Sequence, residues 1–246
     1  MNTSTKRMAY TGLMMALSFI GTFIIKIPIS STGGYIHLGD GFVMLSGIIL
    51  GPVYGALAAG IGSALADVVS GYAVWALPTL ITKGAMAFIV GYAYLKRDSK
   101  YMNTILTFSY IILWSGFILL VRSLYTTSTD SLTGEHPFFD MITELLNPKN
   151  SDRLMIVIIS MAIPLILVVL YKVVSMTQKK EISLTLNISY VVAGSLMVVL
   201  YYITEVVLYG SLYLPIISIP LNIMQFMVGI IIVNLIKPVN KYVKLD

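Results

Sequence analysis

Eight stretches of apolar residues, all but one of them long, dominate this chain of 246 residues. An α-helix needs about 20 such residues to cross the hydrocarbon core of a bilayer. Only 11% of the residues are charged, whereas a soluble domain carries about 25%. The sequence therefore predicts an all-α integral membrane protein, a single transmembrane domain over residues 1–246 with about eight spans. Their approximate bounds are 8–25, 41–50, 52–69, 77–95, 104–124, 154–175, 186–208 and 217–236.

A Gly-Pro pair separates the second span from the third, at Gly51 and Pro52. Glycine permits the backbone angles of a tight reversal, and proline is favoured at the first position of a helix. The second run, 41–50, is also too short to cross a bilayer alone. We therefore predict a helical hairpin at this point rather than one long helix.

The basic residues predict the orientation of the spans, because cytoplasmic loops of membrane proteins are enriched in lysine and arginine. With the N-terminus inside, every inner loop is basic, whereas the long outer loop 126–152 carries five acidic residues against Lys149. We therefore expect a multi-pass protein of the cell membrane with both termini in the cytoplasm. Within the outer loop, residues 137–148 fit either a short interfacial helix or a disordered tether.

Five charged residues fall within the predicted spans or at their edges: Asp40, Asp67, Lys83, Arg122 and Glu205. A charge at the centre of a bilayer costs roughly 2.5–3.5 kcal/mol on insertion scales, so such residues usually have a partner or a function. All five lie in the outer half of the membrane. This asymmetry predicts a polar cavity that opens to the outside above a hydrophobic floor, although Arg122 is expected to snorkel to the outer headgroups.

Aromatic and amide side chains lie at the same level as these charges. Rings supply stacking surfaces, and amides and charges supply oriented hydrogen bonds, which together suit a small planar polar ligand. The candidate ligand-binding residues are Tyr35, His37, Asp40, Asp67, Tyr72, Trp75, Lys83, Tyr201, Glu205, Asn222 and Gln225.

These residues also have purely structural interpretations. Asp67 and Lys83 lie on adjacent antiparallel spans at similar depth, so an ion pair between them explains both as well as ligand contact does. Asp40 begins a span and is suited to an N-cap. Tyrosine and tryptophan commonly anchor a protein at the membrane interface, and the two amides of the last span can hydrogen-bond between helices.

Small residues form two smooth helix faces that allow close backbone approach. In the third span they recur every four positions and end at a carboxylate, at Gly55, Ala59, Ser63 and Asp67. We predict that this face packs inside the protein. On the first span, Gly12 and Ala16, with Ala9 nearby, either pack inside or contact another subunit.

Several function classes lack their motifs in this sequence. There is no cysteine, and two histidines are too few for a multi-histidine metal centre. There is no G-x-x-x-x-G-K-[ST] phosphate loop, no H-E-x-x-H and no G-x-S-x-G. The basic residues sit in short loop clusters, which fit the membrane topology better than a nucleic-acid surface. We therefore expect no enzyme, no bound metal and no nucleic-acid partner.

The order of several strings resembles the substrate-binding S components of energy-coupling factor (ECF) vitamin transporters. The resemblance is carried by YIHLGDGFVMLSGIILGPVYGALAAGIGSALADVVSGY (35–72) and PTLITKGAMAFIVGY (78–92). Two later strings, VVAGSLMVVLYYITE (191–205) and IPLNIMQFMVGIII (219–232), are similar to the last two helices of that family. The resemblance implies a six-helix core, and residues 104–175 are then a two-helix insertion that carries the outer loop 126–152.

The resemblance also implies a function. Such a subunit captures a vitamin or vitamin precursor from outside and delivers it through a transmembrane coupling subunit with two cytoplasmic ATPases. The chain itself then needs no cofactor, because its partners hydrolyse the ATP. By the same resemblance, Ala9, Gly12 and Ala16 contact the coupling subunit, and segment 26–39 gates the ligand pocket. The ring and amide inventory suggests a pyridine of the vitamin B6 type or a hydroxymethylpyrimidine as ligand.

Two other function classes are compatible with the residues. A self-sufficient secondary transporter would use Asp67 or Glu205 as a proton site. A structural or assembly protein of the membrane would bind no ligand and would tolerate Asp67→Asn apart from a change in stability.

Overall fold

The computed structural model describes residues 3–29, 34–128, 184–211 and 214–236. Contacts divide the chain into a larger unit, residues 1–114 with 182–246, and a smaller unit, residues 115–181. The larger unit contains α1 (Thr3–Phe23), β1 (Lys26–Ile29), β2 (Gly34–His37), α2 (Asp40–Val69), α3 (Ala73–Leu95), the start of α4 (Met102–Ser128), α5 (Leu184–Tyr209), a 3₁₀ turn (Leu214–Ile217) and α6 (Ser218–Ile236). The described part of the smaller unit is the remainder of α4.

In the described parts of the chain, four helices are long and apolar enough to cross a membrane: α2, α3, α5 and α6. A shorter apolar stretch, Met102–Phe117, lies within α4. These helices confirm the prediction of an all-α membrane protein. The count of eight spans stays a prediction, because the sixth predicted span, 154–175, and the loop segment 137–148 lie outside the described residues.

The predicted hairpin between the second and third spans is present as a sharp break inside α2. Gly51 has φ 77° and ψ −178°, a conformation that side chains disfavour and glycine adopts readily. A Cβ added to Gly55 would lie 2.7 Å from Cα of Gly47. In a straight helix eight residues are about 12 Å apart, so the first arm, 40–50, folds back against the second, 52–69.

The small-residue face of the second arm is buried, as predicted. Gly55, Ala59 and Ser63 all lie in the interior. The neighbouring Gly62 meets α1 so closely that an added Cβ would stand 2.3 Å from the carbonyl oxygen of Met15. The absence of side-chain bulk therefore lets α1 and α2 pack backbone to backbone.

Helix α6 closes the larger unit against the start of α2. A Cβ on Gly229 would lie 2.7 Å from Cβ of Asp40, and one on Gly41 would lie 2.4 Å from Ile232. This approach places the first turn of α2 beside Gln225, one helical turn before Gly229. It therefore brings polar residues from distant parts of the sequence into one buried cluster.

A two-stranded antiparallel ribbon accompanies the helices. Strand β1 pairs with β2 in the register Lys26↔His37 to Ile29↔Gly34. The ribbon occupies most of segment 26–39, which the resemblance assigns to a gate. It carries Tyr35 and His37 to the site described next.

Candidate functional site

A cavity opens between β2, the C-terminal end of α2, the first turns of α3, the end of α5 and the start of α6. It encloses about 400 Å³ of space between atoms, including the part that is open to solvent. The lining residues are Gly34, Tyr35, His37, Asp67, Trp75, Thr79, Tyr201, Glu205, Asn222 and Gln225. Eight of the eleven residues predicted to bind a ligand are among them. Their contact with a ligand stays a prediction.

One wall of the cavity is aromatic. Trp75 and Tyr201 meet edge to face with ring centroids 6.1 Å apart. Tyr201 also shares a hydrogen bond of 3.2 Å with the hydroxyl of Thr79. Rings fixed in this way offer apolar faces and edges to a planar ligand without further ordering of the protein.

Asp67 lies at the mouth of the cavity, where strand β2 crosses the end of α2. The hydroxyl of Tyr35 donates a hydrogen bond to Asp67 Oδ1. The other oxygen, Oδ2, has no hydrogen bond of good geometry among the described residues, although Thr79 lies beside it. A buried acceptor left in this way costs about 1–3 kcal/mol, so this oxygen is poised to accept a hydrogen bond.

Lys83 pairs with Asp40 rather than with Asp67. Its Nζ lies 2.5 Å from Asp40 Oδ1, and both side chains are fully buried. The same Nζ donates to the sulfur of Met197 at 3.0 Å and lies 5.4 Å from the ring centroid of Tyr201. The predicted pair of Asp67 with Lys83 is therefore wrong.

Helix lengths explain this correction. Helix α3 begins at Ala73, one turn earlier than the predicted 77, so Lys83 lies about 15 Å along the helix from its N-terminal end. Asp67 is only two residues from the end of α2, about 3 Å. The first arm of α2 rises only about 16 Å from Gly51 to Asp40, which places Asp40 rather than Asp67 at the depth of the lysine.

Gln225 joins this ion pair to the ribbon. Its Nε2 donates to Asp40 Oδ2 at 3.0 Å, and its Oε1 accepts the backbone N–H of His37 at 3.1 Å. Asp40 therefore has partners on both carboxylate oxygens and does not cap its helix: Gly39 occupies the N-cap position without a side-chain bond. The N-cap interpretation of Asp40 is wrong, because Lys83 and Gln225 compete for the carboxylate inside the protein.

His37 is a neutral member of the cavity wall. Its Nδ1 accepts the backbone N–H of Gly39 at 3.0 Å, which places the ring proton on Nε2. Burial, together with the nearby Lys83 cation, lowers the pKa of His37 to about 3. The imidazole therefore contributes dipoles and hydrogen bonds to the site, and no charge at neutral pH.

Glu205 lies at the junction of α5 and α6. The hydroxyl of Ser218 donates to Glu205 Oε2 at 2.6 Å. Asn222, one turn further along α6, lines the same part of the cavity. An acid and an amide thus line the cavity on this side.

Three predicted residues lie outside the lining. Asp40 and Lys83 form the buried pair beside it, and Tyr72 packs on Tyr35 with ring centroids 4.7 Å apart. The side chain of Arg122 lies outside the described residues.

Two lining residues were not predicted, Gly34 and Thr79. Thr79 lies one helical turn before Lys83, and this spacing is a signal that points to it. Gly34 has no such signal, because only the pairing of β1 with β2 brings it to the cavity.

The patch on α1 is exposed. Ala9, Gly12 and Ala16 all lie on the surface, and a Cβ added to Gly12 would meet nothing within 4 Å. Among the described residues, no other helix packs closely against Gly12. Contact with a coupling subunit stays a prediction.

Comparisons with known proteins give a consistent picture. The family model described as ECF-type riboflavin transporter, S component, matches residues 2–168, more than half of the chain. A protein of Pyrococcus woesei, described as an uncharacterized protein in gap 3'region, is 38% identical over 108 residues, which are 43% of this chain and 72% of that protein. No solved structure matches. The family match ends before α5 and α6, the helices that complete the cavity.

Proposed function

The chain belongs to the family of ECF-type riboflavin transporter S components, and from this premise we propose that it is the substrate-capture subunit of an ATP-driven vitamin importer. The family implies a small-molecule ligand, embedding in a membrane and an ECF module as partner. The finer proposal is that the chain binds a vitamin from outside in the cell membrane, with both termini in the cytoplasm. Its role is binding and delivery rather than catalysis.

The observation that carries this proposal is the cavity between the ribbon and the outer ends of the helices. Its wall combines aromatic rings with amides and carboxylates, which suits a planar heteroaromatic compound with polar edges. The description of the family makes a flavin the first candidate. A pyridine or a hydroxymethylpyrimidine, suggested by the side-chain inventory alone, is the second.

The proposed cycle uses three parts of the chain. The ligand enters the outward cavity, and the ribbon within residues 26–39 closes over it, since Tyr35 and His37 on that ribbon already contact residues of α2 and α6. The loaded protein then docks through the exposed patch of Ala9, Gly12 and Ala16 on a coupling subunit. Two ATPases on that subunit supply the free energy for release, so the chain needs no cofactor.

Ligand binding by the purified chain tests the proposal. Riboflavin, pyridoxine and hydroxymethylpyrimidine are each added to the protein in detergent, and thermal unfolding is followed; a ligand present at 100 times its Kd stabilises by about 2.7 kcal/mol. Native mass spectrometry of the gently purified protein identifies a co-purified compound. If no vitamin raises the melting temperature and no compound co-purifies, the capture proposal fails.

The two tryptophans supply a matched control. Trp75 lines the cavity, whereas Trp114 is buried elsewhere and donates to Ser195 Oγ at 3.2 Å. Trp75→Phe should weaken binding at least several-fold, and Trp114→Phe should leave it unchanged. Equal losses in both variants would indicate a general effect on the fold.

A proton-coupled secondary transporter is the alternative, with Asp67 or Glu205 as the proton site. It requires uptake by this chain alone in proteoliposomes, abolished by an uncoupler. The capture proposal requires instead that uptake begin only when the coupling subunit, its ATPases and ATP are present.

A further inference from the structure

The carboxylate of Asp67 limits which chemical groups of a ligand can lie next to it. Asp67 is only 2% exposed, and Tyr35 already occupies its Oδ1. Asp67 lines the cavity, and its Oδ2 is buried without a hydrogen bond of good geometry among the described residues, with Thr79 adjacent. An ionised carboxylate accepts hydrogen bonds and donates none. The matching group on a ligand is therefore an O–H or N–H donor.

Apart from two tyrosines, the ionisable groups that line the cavity among the described residues are acids and one histidine. Asp67 and Glu205 are its acidic members, and no lysine or arginine lines the cavity within the described residues. Burial keeps the imidazole of His37 neutral, as shown above. Segments 30–33 and 212–213, which adjoin the described parts of the ribbon and of the α5–α6 connection, consist of uncharged residues in the sequence.

Among the described residues, two lysines lie close to the cavity, and Lys26 stands 5.8 Å from the ring centroid of the lining Tyr35. Lys83 is neutralised by Asp40 at 2.5 Å. Lys26 donates to Ser70 Oγ at 2.6 Å and lies over the ring of Phe23 at 4.4 Å from its centroid. Neither lysine is part of the lining. An anionic ligand would thus lose its hydration and meet carboxylates without gaining a lining cation from the part of the chain that the structure describes.

We propose that Asp67 and Glu205 are specificity residues that make the cavity select ligands with hydrogen-bond donors and exclude their anionic derivatives, such as phosphate esters. This inference rests on the proposed function, because it concerns the same cavity. For a flavin, the ligand hydroxyls are the donors, and the 5'-phosphate ester is the form that is excluded. The two carboxylates then act in uptake as a filter for the unphosphorylated vitamin.

The first test compares a neutral ligand with its phosphate. The dissociation constants of riboflavin and riboflavin 5'-phosphate are measured by titration calorimetry on the full chain in nonionic detergent. We expect the phosphate to bind at least 10-fold more weakly, and Asp67→Asn or Glu205→Gln to reduce this ratio at least three-fold. Asp98→Asn, the same change at a side chain that is 91% exposed, is the control and should leave the ratio unchanged. Equal affinities, or a ratio that neither cavity variant alters, would overturn the proposal.

The second test needs no ligand, and so separates failure of this inference from failure of the proposed function. In a Trp114→Phe background, Trp75 is the one remaining tryptophan of the sequence and reports on the cavity. Relative to free tryptophan, caesium should quench its fluorescence more strongly than iodide. Asp67→Asn should raise the iodide quenching constant at least two-fold and leave that of neutral acrylamide unchanged.

The outcomes of the second test are distinct. If no vitamin binds but caesium still quenches Trp75 more than iodide, the capture function fails while the anion-excluding cavity stands. If iodide and caesium quench equally in the parent protein, or if Asp67→Asn changes iodide and acrylamide quenching alike, the inference is overturned whatever the ligand proves to be.

Discussion

Lys83 Nζ lies 2.5 Å from Asp40 Oδ1, and the two side chains are fully buried between α3 and the first arm of α2. Gln225 occupies the second oxygen of this carboxylate and holds the backbone of His37 with its own carbonyl. The charges of the pair are thus satisfied by each other and by α6. Asp67 lines the cavity instead, and its Oδ2 has no hydrogen bond of good geometry among the described residues.

Removal of one partner of the buried pair should be strongly destabilising. Lys83→Met or Asp40→Asn leaves the other group in the interior without its counter-charge, which costs about 3–5 kcal/mol. The double variant Asp40→Asn/Lys83→Met should lose less than the sum of the single losses, because it leaves no uncompensated charge. The free energy of unfolding in detergent, measured by denaturant titration, checks both.

An exposed ion pair provides the control for this comparison of single and double variants. Arg97 and Asp98 are 3.9 Å apart, and their side chains are 40% and 91% exposed. The same set of single and double variants at Arg97 and Asp98 should give an interaction free energy below about 1 kcal/mol. Equal couplings at the two sites would contradict the structural assignment of the buried pair.

Gln225 should be required to hold the ribbon over the cavity. Gln225→Leu removes both the bond to Asp40 and the acceptor of the His37 N–H. Each lost bond to a buried group costs about 1–3 kcal/mol, so we expect at least a 10-fold loss of affinity for the vitamin. Titration calorimetry measures it. The neighbouring variant Met224→Leu, on the exposed side of α6, should bind normally, and an equal loss there would contradict the prediction.

Two helical glycines should respond oppositely to added bulk. Gly12→Leu extends into open space, so the folded chain and its vitamin affinity should be retained while ATP-driven uptake with the coupling partners falls. Gly62→Leu forces side-chain atoms onto the Met15 carbonyl and should destabilise by about 1–3 kcal/mol or more. Melting temperature, binding and reconstituted uptake are measured in parallel. A loss of binding in Gly12→Leu would show that this patch belongs to the core.

Acidification should weaken the native state through His37. Its pKa in the folded protein is about 3, below the ordinary 6.5, because burial and Lys83 disfavour the imidazolium. Between these two pH values the unfolded chain binds a proton that the folded chain does not, so stability falls as the pH falls through 6.5. The melting temperature should drop from pH 7 to pH 5, and the drop should be smaller in His37→Asn.

The second histidine is the control for this pH dependence. His136 lies in the predicted outer loop 126–152, and His136→Gln should retain the pH dependence of the parent protein. If His37→Asn and the parent lose the same stability on acidification, the titrating group is not His37.

Periodicity and composition sufficed to predict the apolar helices that the structure describes, since the length of an apolar segment decides whether it can cross a membrane. Gly51-Pro52 located the hairpin because glycine and proline act on the local backbone. The pairing of charges was not predictable in this way. Its outcome depended on a helix that begins one turn earlier than predicted, and on Gly229, whose lack of a side chain admits Asp40 to the neighbourhood of Gln225.

The sequence by itself determined that this is a helical membrane protein, and it predicted that polar residues gather in the outer half, because the cost of placing charge in lipid is a property of each residue. Its strings also indicated the family. The tertiary structure decided which charges neutralise each other and which remain open to a ligand. That choice depends on distances of a few ångströms between helices far apart in sequence, and only the packed fold sets those distances.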